Sequence, residues 1–184
     1  MEKRSTHLAT RKKRGNEVIC RNAPVAQLVE QLPFKEKVAG SFPAGRTYMK
    51  IFLICSKRFY PRVPEILKEL GVGKHIVTLP NSYKDSAAEE RYRKLGVEEH
   101  AQWKAGMLRL STNIIEKNDA VLVLNFEKDG AKNYIGGATF LEMYDASRLG
   151  KIVFLYNDIP EGILKDEIIS FSPIVLNGNL DLIK

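Results

Sequence analysis

A glycine pair runs into a carboxylate in the segment Gly136-Gly137-Ala138-Thr139-Phe140-Leu141-Glu142. Such a turn opens a helix whose first backbone N–H groups have no partner inside it, so its start favours anions or ribose oxygens, and the glycines allow close approach. At about 100° per residue, Glu142 falls on the stripe of Ala138, Ala146 and Leu149, which predicts an inward-pointing carboxylate close to the helix start. The alternative role for Glu142 is to complement the helix dipole, which would also keep it ionised at neutral pH. Ser56, Lys57 and Arg58, in the loop through Tyr60, follow an apolar run and suit an anionic ligand, although basic residues at such a place are often only solvated. Asn125, Asn133 and Tyr134 are candidates to hydrogen-bond a ligand or to shape a turn. Trp103, Met107 and Leu110 recur at helical spacing and read as core or dimer packing, and His75 reads as the beginning of a strand. The two cysteines, Cys20 and Cys55, lie in no CxxC or Cys/His cluster, so neither a disulfide framework nor a metal site is expected, and no cofactor is implied.

These groups must be carried by regular elements, and the chain supplies an alternation of them. Short apolar runs at 50–56, 75–79, 119–126, 152–156 and 174–176 predict strands. Between them lie helical stretches: one opened by Pro61 and Pro64 and closed by Gly71, one over 87–117 with a break at Gly96, one over 138–149 ended by Gly150, and one over 163–171. Strands alternating with helices imply an α/β, flavodoxin-like three-layer sandwich around a five-stranded parallel sheet. The common order 2-1-3-4-5 would set the ends of strands one and three side by side, with the ligand in the crevice between the loops at 56–60 and 128–137.

Asn118 to Asn125, the Gly-rich turn, Glu142 and Leu149-Gly150-Lys151 together resemble the core of the nucleoside 2-deoxyribosyltransferase-like family, including the related deoxynucleoside-monophosphate N-glycosidases. The resemblance extends over most of residues 49–184. It implies that Glu142 is a nucleophile attacking an anomeric carbon, a role a carboxylate can fill by trapping or stabilising an oxocarbenium-like centre. It also implies a nucleoside or nucleotide ligand, of which Lys57 or Arg58, as basic groups suiting an anion, would lie near any 5′-phosphate, and a homodimer or higher homo-oligomer with pockets completed across subunits, to which Asn177-Gly178-Asn179 is a candidate contributor. Two positions depart from the family. Tyr144 replaces a Gly two residues after the nucleophile, which would narrow the pocket, and Ser111 replaces an Asp that helps protonate the departing base. Glu127, Asp129 and His100 are candidate substitutes for that acid. A second partial likeness, of the same Gly-rich segment, is to phosphoribohydrolases that resemble lysine decarboxylases, which also act on N-glycosidic bonds. Besides the enzyme, the sequence leaves open a non-catalytic nucleotide-binding or sensor domain and an interaction protein that dimerises through its helices.

The formal charge of +7 belongs almost wholly to the first 48 residues, where 10 Lys/Arg face 4 Asp/Glu, against 19 and 18 in the remainder. The expected partner is therefore a small molecule and not a nucleic-acid polymer. No apolar run reaches the roughly 18 residues of a membrane helix, and sparse cysteine fits a cytoplasmic protein without membrane attachment. Residues 1–48 show no signal-peptide h-region and no sustained apolar period. Ala23 to Pro33, followed by Val38 to Ala44, resemble a translated transfer-RNA gene: Val-Ala-Gln-Leu-Val-Glu-Gln matches D-arm codons and Gly-Ser-x-Pro the T-arm, with Phe42 departing from the expected Asn. A basic nucleic-acid arm and a disordered tail are the other readings. The expectation is a spurious or disordered leader, with a natural start at Met49 and a single domain over 49–184.

Overall fold

The computed structural model describes residues 48–71 and 74–184, so the expectations for the leader fall outside the described residues. Five strands, β1 (Lys50–Cys55), β2 (Ile76–Thr78), β3 (Ala120–Leu124), β4 (Ile152–Leu155) and β5 (Ile174–Val175), pair in parallel in the order β2-β1-β3-β4-β5. The α/β, flavodoxin-like expectation holds in its topology as well as its class.

β-Branched and leucine side chains without interruption suit strands buried on both faces, and β3 is buried at all its positions. Their alternation sends Ile51, Leu53, Leu122, Leu124 and Phe154 to one face and Phe52, Ile54, Val121, Val123, Val153 and Leu155 to the other. The first face is covered by α1 (Val63–Glu69), through Val63 and Ile66, and by Leu176, Leu180 and Ile183 near the C-terminus. The second is covered by α3 (Val97–Lys117), α4 (Gly137–Arg148) and α5 (Lys165–Ser170), through Ile115, Met143, Ala146 and Ile168. α2 (Ala88–Leu95) packs on α3, and Gly96 separates the two at the expected break. Asp119 fixes the register at the sheet's start: the Lys50 amide donates to Asp119 Oδ2 at 2.8 Å, and the Asp119 amide donates back to the Lys50 carbonyl at 2.8 Å.

Helix α4 ends as its sequence dictates. Gly150 takes a positive φ of 68°, and the amides of Gly150 and Lys151 bond back to Ser147 and Ala146 at 3.0 and 2.8 Å, closing the orphan carbonyls of the last turn. Two features differ from the sequence reading. The loop at 56–60 is the start of a 3-10 turn (Lys57–Arg62) that includes Pro61 and buries Phe59 against Phe126. The buried stripe of α4 is Thr139, Met143 and Ala146, while Ala138 is exposed and Glu142 keeps part of its side chain exposed although its carboxyl end is enclosed. The stripe is turned by one residue from the expected one because Met143 seats the helix on the sheet, which rotates Glu142 toward α3.

Among the described residues no helix is long and apolar enough to cross a membrane.

Candidate functional site

A cleft of about 380 Å³ opens where the strand order reverses, beyond the C-terminal ends of β1 and β3, and its volume suits a ligand the size of a nucleotide. Ser56, Lys57 and Arg58 line it from the 3-10 turn after β1; Tyr134, Gly136, Gly137 and Thr139 line it from the loop and helix start after β3; Glu142 lies in its wall. The fold thus brings together eight of the ten residues singled out from sequence.

Asn125 and Asn133 stand apart. Asn125 is fully buried, and its side chain is used by the fold: Nδ2 donates to the carbonyl of Asp158 at 2.8 Å, and Oδ1 accepts from the Asn157 amide at 2.8 Å, lashing the end of β3 to the loop after β4. Asn133 has a positive φ of 54° and shapes the turn before Tyr134. Neither lines the cleft.

Sequence reasoning missed most of the wall opposite, where it ties only Ser111 to the site, as the position of the resembled family's acid. The segment after β2 brings Pro80, Asn81 and Ser82 to the cleft, α2 brings Glu89, and α3 brings Trp103, Lys104, Met107 and Ser111. Trp103 and Met107, expected in core or dimer packing, face the cleft instead, because α3 covers the sheet only with its C-terminal half around Ile115. Leu110 points outward, 41% exposed. Tyr144 does not narrow the pocket: half-exposed, it leans its ring on Phe171. Of the candidate acids, Glu127 and Asp129 do not line the cleft, and His100 faces Glu89 at 3.4 Å beside Trp103.

The electrostatics of the cleft separate its two carboxylates. Burial raises Glu142, while the Ser111 hydrogen bond and the Lys104 charge hold it down and Asp145 adds a smaller upward push; the outcome is a carboxyl raised from 4.5 to about 7. The dipole does not hold it lower because Glu142 stands in the second turn of α4, beyond the reach of the helix start. This corrects the expectation of a fully ionised carboxylate. Burial also works to raise Glu89, but Lys104, His100 and Lys57 overcome it and leave Glu89 below its ordinary value. Burial, with the Glu142 charge, pushes the Cys55 thiol up to about 12, so Cys55 stays protonated and is no nucleophile. Tyr60 is likewise raised, first by burial, with its hydroxyl 2.7 Å from Ser82 Oγ.

Glu142 is therefore the cleft carboxyl whose proton is held into the neutral range. Its Oε1 accepts from Ser111 Oγ at 2.5 Å. No side chain caps α4, and its first residues, Gly137, Ala138 and Thr139, line the cleft. Lys57, Arg58, Lys104 and Lys128 also line the cleft, the last over the Tyr134 ring at 4.1 Å, and four cations against two carboxylates favour an anionic ligand. Among the described residues no group of three or more His, Cys, Asp or Glu could hold a metal ion. A scan against protein-family models matches none, and a search of curated proteins finds none similar to this chain.

Proposed function

We propose that this protein is a nucleoside 2-deoxyribosyltransferase-like enzyme, cleaving or exchanging the N-glycosidic bond of a (deoxy)nucleoside or nucleotide with Glu142 as nucleophile. The observation that carries the reading is the setting of Glu142: a carboxyl raised to about 7 yet held by Ser111, in the wall of a nucleotide-sized cleft that four cations line. In the Glu142 carboxylate form, Oε2 attacks the anomeric carbon as the C–N bond to the base breaks, and the electron pair leaves with the base. Water or a second base then displaces Glu142 from the sugar. Aromatic Trp103 and Tyr60 offer faces for a base, and the free amides at Gly136-Gly137 with Lys57 and Arg58 suit sugar oxygens or a phosphate.

A second reading, a nucleotide-binding or sensor domain without turnover, is favoured by one feature. Ser111 replaces the family's acid and spends its proton on Glu142. Incubating the full chain with a panel of deoxynucleosides, ribonucleosides and their monophosphates, and assaying free base, separates the two. Base release supports the enzyme; ligand-dependent melting without base release supports the sensor.

A further inference from the structure

Three side chains form a hydrogen-bond chain in the wall of the cleft. Asn81 Nδ2 donates to Ser111 Oγ at 2.7 Å, and Ser111 Oγ donates to Glu142 Oε1 at 2.5 Å. The same Asn81 nitrogen lies 3.4 Å from the Met107 backbone carbonyl, a group that can only accept. Inverting the carboxamide would turn its oxygen against that carbonyl and would offer the Ser111 hydroxyl an acceptor in competition with Glu142. As it stands, a donor occupies one acceptor position of Ser111, and the one proton of the hydroxyl is free to go to Glu142. The orientation is held at a cost, since Asn81 Oδ1 is buried and makes no hydrogen bond to the described residues.

We propose that Asn81 is a positioning residue whose carboxamide holds the Ser111 hydroxyl as a donor to Glu142 and so favours the anionic form of that carboxyl. The assignment rests on Glu142 being the working group of the cleft. Other groups also bear on Glu142. Lys104 of α3 attracts a charge there, Asp145 of α4 repels it, and Cys55 of β1 and Tyr60 of the 3-10 turn stand near it as protonated, neutral groups. Asp145 is itself held by Thr112 Oγ1 at 2.5 Å and Arg148 at 3.3 Å, which fixes its distance from Glu142. Lys104 is shared with Glu89 at 3.4 Å. Ser111 is the direct hydrogen-bond donor in this set, and Asn81 acts only through it.

The test is a carbon-13 titration of the Glu142 carboxyl in the full chain, for wild type, Asn81→Leu, Ser111→Ala and the double variant. Asn81→Leu and Ser111→Ala should each raise the midpoint by at least about half a pH unit, a threefold gain in proton affinity, and the double variant should match Ser111→Ala alone. If Asn81→Leu does not fold, Asn81→Ala is read in the same way. A midpoint unmoved by the Asn81 change, or moved equally with Ser111 absent, overturns the proposal. This readout does not depend on turnover. If the midpoint moves as stated but no substrate yields free base, the glycosidic reading fails and the role of Asn81 stands.

Discussion

A buried carboxyl raised to about 7 makes two demands on this protein at once. For catalysis, the anion must be present, so kcat/KM should rise with pH through about 7 and fall below it, unlike the limb near 4.5 of an ordinary glutamate. A pH–rate profile checks this, and a flat profile between pH 5 and about 8 would contradict it. For stability the sign is opposite. The folded state binds the proton more tightly than the unfolded chain, so stability falls as pH rises from about 4.5 to about 7 and then levels off. Glu142→Gln removes that cost. The variant should be more stable than wild type at pH 8 by up to about 3 kcal/mol, with the gain vanishing below pH 4.5, as denaturant melts at the two pH values would read. A working residue that destabilises its own fold is a common trade at functional sites.

The elements around Glu142 divide into those that make the fold and those that leave room. A Cβ added at Gly137 would meet nothing within 4 Å, and its backbone is already helical, so neither strain nor space demands glycine there. Gly137→Ala should therefore melt no lower than wild type, yet weaken ligand binding, because the methyl stands where a ligand approaches the helix start. Unchanged affinity would remove Gly137 from the site. Asn125→Ala should do the reverse, costing about 2 kcal/mol of stability through the stranded groups of residues 157 and 158 while leaving the affinity of the surviving fold intact. Unfolding curves and ligand titration on the two variants separate the roles. The element pattern was legible from sequence because apolar runs, prolines and glycines mark it: the break at Gly96 and the end at Gly150 came directly from residue type. The wall formed by Asn81, Glu89, Trp103 and Lys104 was not legible. Periodicity tells which residues of α3 share a face but not whether that face meets a sheet or a cleft, and the segment after β2 carries no period at all. The same limit placed the stripe of α4 one residue away, since Ala138 and Thr139 differ too little in apolarity to fix the helix's rotation.

At the scale of the molecule, sheet order sets the site: the reversal between β1 and β3 leaves a crevice, and the segments after β1, β2 and β3 converge on it with helices α2 and α3. The exposed positions of its covering helices carry Leu110, Leu141 and Tyr144, each more than 40% exposed. A homodimer through α3 and α4 is the expected state, and a monomer by light scattering at micromolar concentration would contradict it. The cations lining the cleft lead to a second expectation, that nucleoside monophosphates bind more tightly than nucleosides at low salt and that the advantage shrinks as salt rises. Equal affinity at low salt would remove the phosphate from the account. The central claim rests on one carboxylate, and the most direct measurement is the rate of base release by Glu142→Gln on a substrate that the wild type turns over. The amide preserves shape and binding but cannot attack the anomeric carbon, so the account predicts a loss of roughly 10⁴-fold or more with ligand affinity retained. Release by the variant at close to the wild-type rate would contradict it.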